Sequence, residues 1–206
     1  MTEPKLAVEE AIRAAWDARE YQQAATLALE AYGAEIYSFV HARLRSGADA
    51  DDAFSIFAED LWKGLPGFEY RSSMRGWLYA LARNAANRHA TSPQRRAERN
   101  IPLSFDSAVS ALAVRSRTET QLHHQGDAKD KIRALRKRLP IDDQTLLILF
   151  VDRSLPWREI AQVMHDQDTP LDPAELTREA ARLRKRFERV KAELKAMALA
   201  EGLLKR

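Results

Sequence analysis

The chain has 206 residues, with 33 basic and 30 acidic side chains that leave a formal net charge of +3. Hydrophobic residues make up 45% and charged residues 31%, so one domain or two small ones can form a buried core. The absence of cysteine excludes disulfides, thiolate metal sites and a cysteine nucleophile. The seven glycines form neither GxGxxG nor a P-loop motif, which excludes the common nucleotide-binding loops.

No membrane segment is expected. No apolar run approaches the roughly 20 residues that span a bilayer. The first residues (MTEPKLAVEEAIRAAW) also lack the apolar stretch of a signal peptide. The sequence therefore predicts a cytoplasmic protein.

The small net charge is an average over segments of opposite sign. Residues 1–90 carry 10 basic and 13 acidic side chains, whereas residues 128–206 carry 18 basic and 13 acidic ones. Five acids and no base lie within 49–60, and seven arginines against one acid lie within 71–99. This segregation indicates different partners for different surfaces.

The first part of the chain is predicted to be helical. Over residues 6–90 apolar side chains recur at spacings of three and four, and β-branched residues are sparse. Gly33 is a candidate break in this region. The segment 46–49 (SGAD) indicates the end of one helix and the N-cap of the next, which is expected over 49–64.

A loop and a further helix follow. The loop is expected at 68–73, and Ser72 or Ser73 would cap a helix over about 74–89. Trp62 and Trp77 are interpreted as core residues, because large aromatic side chains on helices are usually buried.

The second part of the chain is predicted to be a separate helical domain. Residues 91–127 are polar and without sustained periodicity, which indicates a linker between domains at 1–90 and 128–206. Helices are expected at 128–139, 141–152 and from Pro156 to about 164. No segment has the pattern of a strand, so the fold class is all-α, with two small helical domains joined by a flexible linker.

The final helix has a strong start signal. Residues 172–175 (DPAE) combine an Asp N-cap, a proline at the first helical position and a glutamate at the third. This capping box predicts a helix that continues to about residue 199.

The last two helices indicate DNA binding. The segment 157–164 (WREIAQVM), followed by a basic helix, resembles a helix-turn-helix, whose first helix braces a second that enters the major groove. A packed stripe is expected at Leu183, Phe187, Val190 and Leu194. Arg182, Lys185, Arg186 and Arg189 would then face outward, with Arg184 flanking them. The alternative is an amphipathic surface helix whose cations are only solvated.

The order of motifs resembles the small, two-domain RNA polymerase sigma factors of the extracytoplasmic-function class. Three motifs of the first unit carry the resemblance: DADD at 49–52, the Phe-led loop FEYRSS at 68–73, and WLYALARN at 77–84. Three more lie in the second unit: LP at 139–140, LPWREIA at 155–161, and LRKRFERVK at 183–191. Their order and spacing over about residues 20–194 are more specific than any one motif.

The resemblance implies a transcription initiation factor with no catalytic activity, cofactor or metal of its own. Residues 1–90 would be a region 2 domain that docks on polymerase, recognises the minus-ten element and melts it. Residues 128–206 would be a region 4 helix-turn-helix domain that recognises the minus-thirty-five element. The implied partners are promoter DNA, core RNA polymerase and, in many members, an anti-sigma factor. Core polymerase would be contacted through the clamp helices of its largest subunit and the flap of its second-largest subunit.

The resemblance also implies roles for individual residues. Polymerase docking would involve Asp49, Asp51, Asp52, Phe54 and Glu59. A flipped base and the melted junction of the minus-ten element would be contacted by Phe68, Tyr70, Arg71, Ser72, Ser73, Arg83, Asn84, Asn87 and Arg88. The minus-thirty-five element would be contacted by Trp157, Arg158, Arg178, Arg182, Arg184, Lys185, Arg186 and Arg189.

Two departures from the family pattern are expected to matter. Ser55 and Ile56 stand where the family usually has Gln-Glu, so the docking contacts would differ in detail. Eighteen residues separate Met164 from Leu183, whereas the turn is normally about 3–4 residues long. The signal at Asp172 predicts that the extra residues lengthen the second helix at its N-terminus. Altered promoter spacing or an extra DNA contact would follow.

Two other functions remain open from the sequence. One is a conventional helix-turn-helix regulator that binds duplex operator DNA without polymerase. The other is a helical adaptor or anti-sigma-like protein that binds only proteins. The pair His123 and His124 lies in the expected linker with no acidic partner set, so no metal site is predicted there.

Overall fold

The computed structural model describes residues 3–91, 111, 127–165 and 171–204; the side chains of 3–5 and 127–129 are not described. The chain forms two compact units, Met1–Thr120 and Gln121–Arg206. Every regular element in the described residues is helical and none is a strand, which confirms the all-α prediction. The expected linker at 91–127 lies almost entirely outside the described residues.

Unit 1 contains four α-helices among its described residues. In chain order these are α1 (Glu3–Asp17), α2 (Tyr21–Leu44), α3 (Gly47–Gly64) and α4 (Met74–Thr91); a short 3-10 helix (Leu65–Gly67) follows α3.

Local sequence sets most of these boundaries. The Ser46 hydroxyl accepts a hydrogen bond from the Asp49 amide at 3.4 Å, so α3 begins two residues before the predicted start. Ser73 caps α4, because its hydroxyl accepts from the Gly76 amide at 3.0 Å. The predicted break at Gly33 is wrong, because α2 continues through this residue, which is buried. Tertiary packing there outweighs the helix propensity cost of glycine, about 1 kcal/mol.

The core of unit 1 lies among α2, α3 and α4, and α1 packs mainly against α2. Phe39 meets Tyr79 edge-on at 5.2 Å between ring centroids, and Phe54 lies 5.2 Å from Phe57. At the end of α3, a Cβ on Gly64 would come within 3.1 Å of the Trp77 ring. A glycine at this position therefore allows α3 to approach α4 closely.

Unit 2 is built from shorter helices and one long one. They are α5 (Asp127–Arg136), α6 (Ile141–Leu147) continued by a π-helical turn (Ile148–Asp152), α7 (Trp157–Met164) and α8 (Pro173–Ala200). Helix α8 packs against α5, α6 and α7. The helix predicted over 141–152 is present, but its second half has π-helical hydrogen bonding.

The predicted capping box at the start of α8 is confirmed. Asp172 Oδ1 accepts from the amides of Ala174 at 2.7 Å and Glu175 at 2.8 Å, and Glu175 Oε2 accepts from the Asp172 amide at 3.0 Å. Helix α8 therefore begins at Pro173, ten residues before Leu183. Ten of the eighteen residues between Met164 and Leu183 therefore belong to the helix.

No helix in the described ranges is both long and apolar enough to cross a membrane.

Candidate nucleic-acid interface

The loop at 68–73 is packed around a series of aromatic rings. Phe68 is only 6% exposed and stacks on Trp77, with ring centroids 4.5 Å apart and an interplanar angle of 21°. On its other side Phe68 meets Tyr70 at 4.6 Å. Tyr70 in turn meets Trp16 edge-on at 5.2 Å, and the Arg13 guanidinium lies 5.0 Å from the Tyr70 ring centroid. The aromatic side chains of this loop are thus held in place by α1 and α4.

Tyr70 combines two unusual features. Its backbone φ is 51°, in the left-handed region that a residue with a side chain adopts at a cost. Its hydroxyl is buried and has no hydrogen-bond partner among the described residues. Burial raises the pKa of Tyr70 to about 12, and the negative charges of Glu9 and Asp17 add to the effect. The hydroxyl therefore stays protonated and remains a hydrogen-bond donor.

The remaining loop residues are polar and partly accessible. Arg71 is exposed and forms an ion pair with Glu69 at 2.5 Å. The Ser72 hydroxyl donates to the carbonyl of Ser73 at 3.2 Å. The exposed guanidinium of Arg71 suits contact with phosphate or a base edge.

The polar side of α4 is tied to α2 and α3. Arg43 of α2 donates to Asn87 Oδ1 at 2.7 Å. Arg88 pairs with Asp60 of α3, and His89 Nε2 lies 3.1 Å from Asp49 Oδ1. Burial raises the pKa of Asp60 above its ordinary value, although the charge of Arg88 acts in the opposite direction.

Two of the predicted contact residues lie in the core. Arg83 is 2% exposed and Phe54 is 1% exposed, so the structure contradicts a surface role for both. Arg83 follows Tyr79 by four residues, which places it on the buried face of α4. Arg83 is in the predicted set only because the resemblance covers the segment that contains it. Phe54 packs edge-on against Tyr37 at 5.4 Å between centroids.

The other predicted docking acids are half-buried on α3. Asp51 Oδ1 accepts from the Tyr37 hydroxyl at 2.7 Å, and Glu59 pairs with Lys63. Asp49 is paired as described above, and Asp52 is also half-buried. The acidic side of α3 therefore has both internal partners and solvent access.

In unit 2 an aromatic cluster joins the helices that resemble a helix-turn-helix. Trp157 of α7 stacks on Phe150 at 4.3 Å, and Phe187 of α8 meets Phe150 at 4.8 Å and Trp157 at 5.7 Å. The Arg184 guanidinium lies 5.9 Å from the Trp157 ring centroid. Trp157, predicted to contact DNA, is half-buried and contributes to the packing of α7 on α8.

Four exposed cations of α8 form a continuous row. Side chains at spacings of four, three and four lie on one face of a helix. The row, here called the basic stripe, consists of the exposed residues Arg178, Arg182, Lys185 and Arg189. It lies opposite the buried face of α8 and spans about 16 Å along the axis. Arg182 also pairs with Glu179 at 3.2 Å.

The buried face itself follows the sequence prediction closely. Leu183, Phe187 and Val190 are buried and Leu194 is half-buried, while Ala180 and Ala198 extend the buried face beyond the predicted stripe.

Arg186 does not belong to the outward-facing set. Its side chain is 26% exposed, and its Nε lies 2.6 Å from Asp143 Oδ1 on α6. The prediction that Arg186 faces outward is wrong, because it lies beside the stripe and reaches α6. On α7, Arg158 is exposed as expected.

Several residues that shape the loop were not identified from the sequence. Arg75 donates to Glu35 Oε1 at 2.5 Å and Oε2 at 3.0 Å, across 40 residues of chain. Burial acts to lower the pKa of Arg75, but the hydrogen bond and charge of Glu35 outweigh it and raise the pKa. Glu9 and Trp16 on α1 were missed as well, since nothing local in the sequence reveals contacts to residues about 50–65 positions away.

The described residues contain no group of His, Cys, Asp or Glu arranged to hold a metal ion. His123 and His124 lie outside those residues.

Residues 28–96 match the family model for Sigma-70 region 2. The match covers about a third of the chain: most of α2, then α3, the loop, α4 and five residues beyond the described range. It supports a sigma-70 family factor. Helix α1 and all of unit 2 lie outside it. No curated protein and no solved structure matches the chain.

Proposed function

We propose that this protein is a sigma factor that directs core RNA polymerase to specific promoters and helps to open the DNA for initiation. The match of residues 28–96 to Sigma-70 region 2 carries the proposal, because it contains both the acidic helix α3 and the aromatic loop. The exposed basic stripe on α8 supports a second DNA contact in unit 2. Together with the motifs of the second unit, this favours the two-domain extracytoplasmic-function class.

Unit 1 would act on polymerase and on the minus-ten element. Asp49, Asp51, Asp52 and Glu59 on α3 would dock on the clamp helices of the largest subunit. A base flipped out of the duplex needs an aromatic wall and polar groups for its edge. Residues 68–73, together with the polar side of α4, provide both kinds of group. Phe54 and Arg83 are omitted because they are buried.

The polar side of α4 would bind DNA only after its internal partners change. Asn87 and Arg88 are bound to Arg43 and Asp60, respectively. Solvent-exposed ion pairs contribute about 0–1 kcal/mol, so a DNA phosphate can compete for Arg88. Asn84, which lies on the same polar side of α4, is half-exposed and would also face DNA.

Unit 2 would bind the minus-thirty-five element as duplex DNA, with α7 bracing α8. The basic stripe would contact phosphates and base edges, and Arg158 and Arg184 would flank it. Arg186 would act through its ion pair with Asp143 and hold α8 to α6. The flap of the second-largest subunit would be the polymerase partner of this unit. An anti-sigma factor that covers these surfaces is a further proposed partner, and the proposed location is the cytoplasm.

In vitro transcription with core RNA polymerase tests the proposal. The purified protein is mixed with core enzyme and a library of genomic fragments, and new transcripts are mapped. We expect initiation at a defined set of promoters, in reactions that contain both components. If the folded protein binds core enzyme but no promoter is used, the sigma assignment is wrong.

A conventional helix-turn-helix regulator is the second candidate, and the observation that favours it is the α7–α8 pair, which lies outside the family match. Such a regulator would bind duplex operator DNA without polymerase. The same library, screened for retention by the protein alone, distinguishes the two functions. If the protein is a sigma factor, it should retain DNA fragments only when core enzyme is present, and the footprint on those fragments should include melted DNA.

A further inference from the structure

One face of α1 contacts the loop at 68–73, here called the candidate base-capture loop, and also the backbone on either side of it. Glu9, Arg13 and Trp16 are spaced by four and three residues and therefore lie on the same side of the helix. We call these three residues the loop-holding face. Before the loop, Trp16 Nε1 donates a hydrogen bond to the carbonyl of Leu65, the first residue of the 3-10 helix that leads into it, at 2.8 Å.

The end of the loop is held by a carboxylate. Glu9 Oε2 accepts from the amide of Met74 at 2.9 Å, and Glu9 Oε1 accepts from the amide of Arg75 at 3.0 Å. The first amides of a helix have no partner within it, and a negative charge there also complements the helix dipole. Glu9, which is 65 residues earlier in the chain than Met74, thus acts together with the Ser73 cap at the start of α4.

The orientation of Glu9 is itself fixed. The hydroxyl of Tyr32 on α2 donates to Glu9 Oε1 at 3.0 Å. Burial and the charge of Glu9 raise the pKa of Tyr32, so this hydroxyl remains a donor. The carboxylate is therefore held by α2 while it holds α4.

The middle of the loop is held through Tyr70. Its left-handed backbone would relax if the side chain were free, yet the ring lies between Trp16, Phe68 and the Arg13 guanidinium. Contacts with α1 thus maintain a loop conformation that the local sequence does not favour.

We propose that α1 is a positioning element for strand capture, in which the loop-holding face keeps residues 65–73 in the conformation that accepts the unpaired minus-ten base. Glu9 and Trp16 are positioning residues, because they act through the loop and the start of α4. This inference rests on the proposed sigma function. Because the loop-holding face contacts the backbone around the loop and at the start of α4, weakening it should impair base capture while leaving docking on core polymerase unchanged.

The first test measures the loop without any assay of function. Arg71 is exposed in the middle of the loop and is a trypsin site. Glu9→Gln retains the shape of the side chain but removes its charge. Glu10→Gln, an exposed neighbour on the same helix, is the matched control. We expect trypsin to cleave after Arg71 roughly five- to tenfold faster in E9Q, because charge-assisted hydrogen bonds at the loop end are weakened. The rate in E10Q should equal that of the wild type.

The second test measures base capture. The probe is a single-stranded oligonucleotide that spans the minus-ten region of a promoter found in the library transcription experiment. Holoenzymes made with E9Q and with Trp16→Phe, which loses only the Nε1 donor and the larger ring, should bind it roughly fivefold more weakly. The affinity of the E9Q and W16F proteins for core polymerase, and their helical content, should equal those of E10Q.

The outcomes are distinct. The inference would be overturned if E9Q and W16F were both cleaved after Arg71 at the wild-type rate. It would also be overturned if these variants were cleaved faster but their holoenzymes bound the oligonucleotide with unchanged affinity. A parallel loss of core binding would also overturn it, because the role of α1 would then be general stability. If wild-type holoenzyme itself fails to bind the oligonucleotide or to initiate, the proposed function has failed. In that case faster cleavage in E9Q would still establish the contact between α1 and the loop.

Discussion

At the scale of single residues, the same side-chain type has different roles according to its partner. Arg182 and Arg186 are four residues apart on α8, but Arg182 is exposed while Arg186 is held by Asp143 of α6. Arg83 on α4 is buried although Arg88, five residues later, is exposed. A count of basic residues indicates the charge available for DNA, but the partner of each residue decides whether that charge reaches the surface.

Asp60 provides a test of electrostatics at this scale. Its pKa is raised in the folded protein because burial outweighs the charge of Arg88. A carboxyl group whose pKa is higher when folded favours folding at pH values below its unfolded pKa. This contribution is lost as the pH rises through the folded pKa. At pH 7 the ionised carboxylate of Asp60 therefore opposes folding.

We expect Asp60→Asn to raise the free energy of unfolding at pH 7, even though it removes an ion pair. The difference from the wild type should shrink as the pH falls and the wild-type carboxyl becomes protonated. Urea unfolding at pH 7 and at pH 4 measures both values. A variant that is less stable than the wild type at pH 7 would show that the ion pair with Arg88 dominates.

At the scale of elements, helix α8 combines a capping box at its N-terminus, a buried face and a charged face. The capping box at Asp172 starts the helix, Leu183, Phe187 and Val190 pack it into unit 2, and the basic stripe lies on the opposite side. All three properties follow from local sequence and helical periodicity, which is why the sequence predicted them well.

The basic stripe makes a prediction about salt dependence. Replacing Arg178, Arg182, Lys185 and Arg189 by glutamine should weaken binding of the holoenzyme to duplex promoter DNA. The slope of log affinity against log salt should fall by about one unit for each lost phosphate contact, or about three to four in total. Lys195→Gln, on the same helix but off the stripe, is the control and should leave the slope unchanged. An unchanged slope in the fourfold variant would place the minus-thirty-five contact elsewhere.

The capping box makes a prediction about local stability. Asp172→Ala removes the acceptor for two amides and should cost about 1 kcal/mol. Hydrogen exchange of the amides at 176–180 should then be about fivefold faster, if local opening governs exchange in this turn. Asp172→Asn keeps an acceptor and should show protection close to the wild type. Equal protection in all three proteins would mean that packing alone holds the first turns of α8.

At the scale of the whole molecule, two units with separate cores fit a protein that uses separate surfaces for separate partners. The core of unit 1 contains Phe39, Phe57 and Tyr79, and that of unit 2 contains Leu149 and Ile160. Unit 1 carries two surfaces of the proposed function, the acidic side of α3 and the loop, and unit 2 carries the basic stripe. The net charge of +3 is the sum over these different surfaces.

Separate cores predict separate folding. Fragments 1–120 and 121–206 should each be helical and unfold cooperatively, and their far-UV circular dichroism spectra should sum to that of the whole chain. Domains of this size are marginal, so thermal midpoints below that of the intact chain are expected. A fragment that is unfolded at 25 °C while the intact chain is folded would show that its core depends on the other unit.

The sequence by itself determined the helical class, the limits of most helices and the exposure of Arg182, Lys185 and Arg189 on α8, because these depend on residues within one or two turns of one another. The motif order also predicted the region 2 resemblance that the family match supports. Only the tertiary structure decided that Arg83 and Phe54 are buried and that Arg186 is held by Asp143. It also showed that Glu9 accepts from the first amides of α4, which begins 65 residues away. Such contacts join side chains that are distant in the chain, and their energy depends on burial and pairing that only the packed helices create.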